Sequence, residues 1–280
     1  MPSLETADGR ALSYTKLGSG EPLVCHPGGP GIPVAIFDDL AGLDRDLELI
    51  LLSPRGVDDS DPAATYELED YAADLEELRA HLGLEAFDLF GHSAGGFMSM
   101  VYAATRPERV KRLVLCGSLP RFSDESREAF GRFLDERESD PQFAEAVAAR
   151  RAREEDPPED EAELARLALL GLPLLFGRYG EKERAFVQRA AESGGGYHLP
   201  ALVYFNERVA PTFDLRPLLP WITAPTLVLT GELDPWGLGG AAELESLIPD
   251  ARVVVLDQVG HMPWVEDPER FRSEVLSFLA

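Results

Sequence analysis

The chain has 280 residues, of which 45% are hydrophobic and 27% are charged, as is usual for a globular protein with room for one large α/β domain or two small ones. Its 50 acidic and 26 basic side chains give a formal net charge of −24 at pH 7. This negative field repels nucleic acid and anionic membrane surfaces, so we expect neither as a partner, and it favours a neutral or cationic ligand.

The N-terminal stretch MPSLETADGR lacks the basic and apolar segments of an export signal. No apolar run elsewhere approaches the roughly 20 residues that cross a bilayer. We therefore expect a cytoplasmic protein, and the sequence leaves its oligomeric state open.

The first part of the chain alternates between strand-like and helix-like segments. A β-hairpin is predicted to turn at residues 7–10. Further strands are predicted at 22–25, 47–53, 86–90 and 109–117. Between them, Leu75, Leu78 and Leu82 share one face of a predicted helix, and FMSMVYAAT predicts another. Strands and helices at this spacing indicate βαβ units around a parallel sheet.

The pattern changes in residues 119–212, where charged amphipathic segments replace the strands. Breaks are predicted around Pro157 and at residues 194–196, from their prolines and glycines. We therefore expect a helical insertion over residues 119–212.

The strand pattern resumes after the insertion, with predicted strands at 224–234 and 251–257 and a final amphipathic helix from Pro268. Since both ends of the chain carry strands of one sheet, we expect an α/β core made of residues 1–118 and 213–280.

The pentapeptide GHSAG places Ser93 between a predicted strand and a predicted helix. In that context the pattern G-x-S-x-G predicts a sharp turn that projects the serine hydroxyl from the carboxyl edge of the sheet. We interpret Ser93 as a nucleophile; the alternative is a chance loop rich in small residues.

A serine nucleophile needs a general base, and five histidines are available. His261 follows the last predicted strand, at the edge where Ser93 is expected, and is the preferred base. We expect His26 to fix the neighbouring glycine-rich loop and His92 to pack beside the serine. His81 is expected on the surface, and His198 is expected to line a pocket in the insertion.

The acid that orients this base is predicted to be Asp234, which ends the strand-like segment TLVLTGELD. Asp257 and Glu232 are its rivals, because both lie near the same strand ends. The order Ser93, Asp234, His261 along the chain is the order found in one hydrolase fold.

These motifs together resemble the α/β-hydrolase superfamily: GHSAGG resembles its nucleophile turn, GELD its acid-bearing strand end, and GHMPWVEDPERF its histidine loop and last helix. The resemblance covers nearly the whole chain outside the insertion. It implies an α/β fold with an eight-stranded, mostly parallel sheet and a helical cap inserted after the sixth strand.

The loop CHPGGPG resembles that of the proline iminopeptidase branch of this superfamily. SPRGVDDS resembles a second segment of that branch but departs from it at Ser53 and Asp59. The resemblance implies an oxyanion hole formed by backbone N–H groups of Ala94 and Gly29, with Gly28 as the next choice for the second donor.

The resemblance also implies an acidic cap residue that holds the substrate's amino terminus, within a stretch best matched by LPALVYFNERV. Ala201 stands where the branch has glutamate, and Glu207 lies a turn later as a substitute or as a solvated helix residue. Apolar side chains offer a different pocket, suited to an ester or a lactone: Phe205, Trp236, Met262 and Trp264.

Three functions follow from these residues. The first is a serine hydrolase of the proline iminopeptidase-like branch that cleaves small amino-acyl peptides or amides. The second is a carboxylesterase or lactonase with the same triad; a cofactor-free perhydrolase activity also stays open. The third is a ligand-binding homologue without turnover. None of the three calls for a metal or an organic cofactor, and the expected partner is a small-molecule or short-peptide substrate.

Overall fold

The computed structural model describes residues 1–156, 158, 160–192 and 198–280. Eight strands form one sheet: β1 (Ser3–Glu5), β2 (Ala11–Gly18), β3 (Glu21–His26), β4 (Leu47–Leu52), β5 (Phe87–His92), β6 (Val110–Cys116), β7 (Thr226–Gly231) and β8 (Ala251–Leu256). Their order across the sheet is β1-β2-β4-β3-β5-β6-β7-β8. The pairs β1–β2 and β2–β4 are antiparallel and all other pairs are parallel. The predicted eight-stranded, mostly parallel α/β sheet is confirmed.

The central strands are buried because helices cover both faces of the sheet. Every residue of β5 and β7 is buried, whereas the edge strand β8 is half-exposed along most of its length. The continuous apolar runs in the sequence therefore correspond to the central strands of the sheet.

The helices outside the insertion are α1 (Leu68–His81), α2 (Ala94–Thr105), α8 (Gly237–Leu247), α9 (Pro263–Glu266) and α10 (Pro268–Leu279). Leu75 of α1, Val101 of α2 and Leu244 of α8 belong to the apolar cluster on one face of the sheet. Phe271 and Val275 of α10 belong to the cluster on the other face. This arrangement places the loops after β5, β6, β7 and β8 together at the carboxyl edge of the sheet.

In the described residues between β6 and β7 the helices are α3 (Asp124–Glu138), α4 (Ala144–Glu155), α5 (Glu161–Leu170), α6 (Glu181–Glu192) and α7 (Leu199–Tyr204). We call these the inserted helices. A small apolar cluster of their own includes Leu134, Phe143 and Val147. Within the described part of this segment, the one β-type contact is an isolated bridge between Arg121 and Asp214. The predicted breaks at Pro157 and at 194–196 lie outside the described residues.

Cys25 is the penultimate residue of β3 and Cys116 is the last residue of β6, and these two strands lie on either side of β5. Both Cys25 and Cys116 are free thiols and fully buried. Burial raises the thiol pKa of each well above its ordinary value, so both stay protonated and inert. Across the described residues, no helix combines the length and the apolar character needed to cross a membrane.

A buried ion pair ties the loop after β4 to α1. Arg55 donates to both carboxylate oxygens of Asp74, at 2.8 and 2.9 Å, and both side chains are almost fully buried. The same guanidinium donates to the backbone oxygens of Thr65 and Asp70. Because its charge is paired with Asp74 and its N–H groups are hydrogen-bonded, Arg55 holds the loop after β4 beside α1.

Replacing Asp74 by alanine should lower the free energy of unfolding by about 3–5 kcal/mol, because the buried Arg55 charge loses its main partner. Urea unfolding of Asp74→Ala against wild type measures this loss. Glu163→Ala is the matched control, since it breaks the exposed Glu163–Arg166 pair. Equal losses in the two variants would contradict a special role for the buried pair.

Candidate active site

Ser93 occupies a strained turn between β5 and α2, with a φ of 53° and a ψ of −122°. Its backbone N–H donates to Cys116 O at 2.8 Å, and its backbone oxygen accepts from Ser118 Oγ at 2.9 Å. A Cβ at Gly95 would lie 2.2 Å from His26 O, so only glycine lets the start of α2 pack this closely on the end of β3. The predicted strand-turn-helix context of Ser93 is therefore present, and its side chain is partly exposed.

His261 and Asp234 form a buried acid–base pair. His261 Nδ1 lies 2.9 Å from Asp234 Oδ2, and each residue is 3% exposed. Because an ionised carboxylate only accepts, Nδ1 carries the proton in this hydrogen bond and Nε2 is left as the basic nitrogen.

The environment of Asp234 keeps its carboxylate charged. Burial acts to raise the pKa of Asp234, but the His261 imidazole and the backbone N–H groups of Trp236 and Gly237 outweigh it and hold the pKa below its ordinary value. The Trp236 N–H lies 2.9 Å from Oδ1, the oxygen that does not contact His261. Both carboxylate oxygens are thus used in orienting the pair.

The residues that follow β6 bring the serine and the acid–base pair into one site. A Cβ at Gly117 would lie 2.8 Å from His261 Nδ1 and 2.9 Å from Asp234 Oδ2, so the pair lies directly against this glycine. The residues on either side of Gly117 hold the backbone of Ser93. Among the described residues no hydrogen bond joins Ser93 Oγ to His261, and such bonds often tighten only when a substrate is bound.

The two rival acids do not contact His261. Glu232 is exposed and accepts the backbone N–H of Gln258 at 2.9 Å. Asp257 is exposed as well and lies 3.7 Å from Arg270. Of the three carboxylates that the sequence proposed, Asp234 has the required geometry.

The glycine-rich loop lies directly against the serine. A Cβ at Gly28 would lie 2.8 Å from Ser93 Cβ, a distance that real Cβ atoms do not show. In the part of the chain that the structure describes, no backbone hydrogen bond uses the N–H of Gly28 or Gly29. Ala94 is the first residue of α2, so the helix does not need its N–H either.

His26 and His92 are structural neighbours of the site. His92 Nε2 lies 3.0 Å from His261 O, and the two imidazole rings are 4.6 Å apart. His26 Nδ1 lies 2.9 Å from Pro27 O, within the glycine-rich loop. Burial lowers the pKa of His26 to about 4; for His92, burial and the nearby His261 lower it to about 3. Both therefore stay neutral at pH 7.

The ring of Trp236, a predicted substrate residue, packs beside the acid–base pair. Its ring is 5.0 Å from the His261 ring and 4.9 Å from the ring of Phe130 on α3. The half-buried tryptophan therefore connects the site to the inserted helices.

The other predicted apolar residues are buried in the interior. Met262 is fully buried in the apolar cluster beneath α10, and Trp264 is 4% exposed with its Nε1–H donating to Ile36 O. Both side chains therefore pack in the core of this side of the sheet. Phe205 is 5% exposed and packs near Phe97 of α2.

His198 and Glu207 also differ from the expected pocket residues. His198 lies 2.7 Å from the Tyr66 hydroxyl, and its backbone N–H donates to Gly31 O, so it connects the start of α7 to the glycine-rich loop. Glu207 is exposed. A π-helical turn over Phe205–Val209 continues α7, and in this turn Phe205 is buried whereas Glu207 faces solvent.

Sequence reasoning missed two residues of the site. The Phe130 ring lies tilted against the Trp236 ring, and the Glu266 carboxylate accepts the N–H groups of Gly260 and Gly177. The sequence could have indicated Glu266, because this residue lies only five positions after His261 in GHMPWVEDP. No local sequence pattern indicates Phe130, because its contact with Trp236 depends on how α3 packs.

A serine on a strand–turn–helix, beside a buried Asp–His pair at the carboxyl edge of a mostly parallel sheet, defines the class of α/β hydrolase-fold proteins. The chain belongs to this family: the family model described as alpha/beta hydrolase fold matches residues 21–268.

Relatives with varied activities match over nearly the whole chain. The chain is 25% identical to a proline iminopeptidase of Heyndrickxia coagulans over 97% of this chain and 96% of that protein. It is 27% identical to an N-formylmaleamate deformylase of Pseudomonas putida, over 98% and 94%. Among solved structures, an esterase from Rhodococcus sp. ECU1013 superposes with a TM-score of 0.79 and 25% identity, over 99% of this chain and 98% of that one.

The two buried histidines should make the protein less stable as the pH falls below about 6.5. The unfolded chain takes up protons near pH 6.5, whereas His26 and His92 stay neutral in the fold until about pH 4 and 3. The two neutral histidines therefore contribute fully to the free energy of unfolding above about pH 6.5. Below that pH, the free energy of unfolding falls by up to about 1.4 kcal/mol per pH unit for each histidine.

Urea unfolding between pH 7 and pH 5 tests this prediction. His92→Asn should show a shallower loss than wild type, because the proton that His92 takes up on unfolding is removed. A histidine NMR titration that finds His26 and His92 charging above pH 6 would contradict it.

Proposed function

We propose that the protein is a serine hydrolase that acts through an acyl-enzyme intermediate. The observation that carries the proposal is the buried Asp234–His261 pair at the sheet edge where Ser93 lies on its strained turn. Ser93 Oγ attacks the substrate carbonyl while His261 Nε2 takes its proton and passes it to the leaving group. Water then attacks the acyl-enzyme, with His261 again as the base.

Negative charge develops on the attacked carbonyl oxygen, and backbone donors beside Ser93 are suited to receive it. We assign this role to the N–H groups of Ala94 and Gly29, with Gly28 as the alternative second donor. Their support is the contact of the loop with Ser93 and the N–H groups that no other backbone bond uses. Fixed donors of this kind typically contribute a factor of about 10²–10³ to kcat.

Small carboxylic esters, including lactones, are the substrate class that the site supports best. The ring of Trp236 beside His261 offers apolar contact, and Phe130 extends this surface towards the inserted helices. The exposed Glu207 on the outer face of its helix is poorly placed to hold a substrate amine. The similarity to the Rhodococcus esterase agrees with this choice.

Proline iminopeptidase-like cleavage of small amino-acyl peptides or amides is the second candidate. It is favoured by the HPGGPG loop against Ser93 and by the full-length similarity to the Heyndrickxia coagulans enzyme. This candidate requires an acidic group that binds the free amine, and Glu207→Gln should then raise KM for an amino-acyl arylamide.

A panel of nitrophenyl esters, lactones and amino-acyl arylamides distinguishes the two candidates. We expect hydrolysis of short-chain esters, with kcat lowered about 10⁴-fold or more in Ser93→Ala because the nucleophile is lost. Asp234→Asn should lower kcat by about 10⁴, since the histidine loses its orienting charge.

Glu232→Gln is the matched control, because Glu232 lies two residues from Asp234 but does not contact His261. It should keep the wild-type rate. Turnover confined to prolyl arylamide would favour the second candidate, and failure of Ser93 to react with a fluorophosphonate would remove both.

A further inference from the structure

The Glu266 carboxylate joins the loop of His261 to the inserted segment. Oε1 accepts the backbone N–H of Gly260 at 2.8 Å, and Oε2 accepts that of Gly177 at 2.8 Å. Gly260 directly precedes His261, whereas Gly177 lies in the segment between α5 and α6. One side chain thus satisfies a donor on each of two segments that are distant in sequence.

The two segments are in close contact at this point. The backbone N–H of His261 donates to Leu175 O at 2.7 Å. A Cβ at Gly260 would lie 2.4 Å from Gly177 N, so the backbones approach as closely as glycine allows. The position of His261 therefore depends on how this part of the insertion is held.

We propose that Glu266 is a positioning residue for His261: its ionised carboxylate holds the histidine loop against the inserted segment, and protonation loosens this contact. The proposal rests on the function proposed above, in which His261 is the general base. Glu266 contacts neither the substrate nor the reacting atoms in this scheme, and it acts through Gly260.

The charge of Glu266 matters because of the two donors that it faces. An ionised carboxylate accepts at both oxygens. Once one oxygen is protonated, the carboxyl loses its charge and that oxygen accepts the facing backbone N–H less strongly. The protonated form can keep the contact with Gly260 or with Gly177 but weakens the other.

Several charged groups surround Glu266. Arg137 of α3 donates to Gly177 O at 3.4 Å, with its guanidinium between the rings of Phe133 and Phe143. Lys182 of α6 donates to the backbone oxygen of Glu266. Arg137 therefore extends the connection from Glu266 into the inserted helices.

Two further groups act on its titration. Glu183 is buried near Glu266, and Arg178 donates a backbone N–H to it. Burial raises the pKa of Glu266 to about 7; the backbone N–H groups of Gly260, Gly177 and Arg178 oppose this rise and Glu183 adds to it. The carboxylate thus changes charge in the pH range in which the enzyme would work.

Glu266→Gln tests the proposal, because the amide keeps the shape but has only one accepting oxygen. On the best ester from the panel, kcat should fall on the order of 10- to 100-fold with KM little changed, since the general base is displaced and the substrate pocket is not. Glu232→Gln is the control: its carboxylate also accepts a backbone N–H, from Gln258, near the same loop.

The pH profile separates positioning from a merely structural role. The ratio of kcat in wild type to kcat in Glu266→Gln should rise as the pH rises through about 7 and approach one at lower pH, where wild-type Glu266 is protonated. A ratio that does not change with pH, or an equal loss in Glu232→Gln, would overturn the proposal.

A measurement on the wild-type protein covers the case in which Glu266→Gln does not fold. The amide NMR shifts of Gly260 and Gly177 should follow one common titration near neutral pH, and absence of that titration overturns the proposal.

The two proposals can fail separately. If wild type neither hydrolyses esters nor reacts with a fluorophosphonate, the proposed function fails. If wild type is active but the ratio of its kcat to that of Glu266→Gln does not change with pH, only the positioning role is refuted.

Discussion

The hydrogen bond between His261 and Asp234 joins two loops that follow different strands, and the geometry of the site depends on it. Asp234 is removed from water, which by itself favours its neutral form. The imidazole and two backbone N–H groups reverse that preference, so a charge persists in a buried place. The same contacts that keep the carboxylate ionised also fix which nitrogen of His261 is basic.

Close backbone packing at the sheet edge supplies the rest of the site. Gly117 leaves room for the acid–base pair, and Gly28 leaves room for Ser93, where a methyl group would overlap neighbouring atoms. The strained turn at Ser93 persists because Cys116 O accepts its backbone N–H and Ser118 Oγ donates to its backbone oxygen. The parallel sheet thus sets the distances within the candidate site, and glycine makes these close approaches possible.

The inserted helices contribute in two ways. The Phe130 ring contacts Trp236 beside the histidine, which brings α3 next to the candidate site. Glu266, with Arg137 behind it, connects the insertion to the backbone of the histidine loop. The proposed substrate surface and the proposed positioning of His261 therefore both involve the inserted segment.

The sequence by itself determined the sheet and the three residues proposed for catalysis. Strand periodicity and the GHSAG turn are local signals, and the strand-end positions of Asp234 and His261 follow from parallel topology. Only the tertiary structure decided that Met262 and Trp264 fill the core, that His198 binds Tyr66, and that Glu266 spans two segments. Hydrophobicity predicts that a side chain is buried but not whether it meets a pocket or the interior, because contacts between residues distant in sequence leave no periodic pattern in the chain.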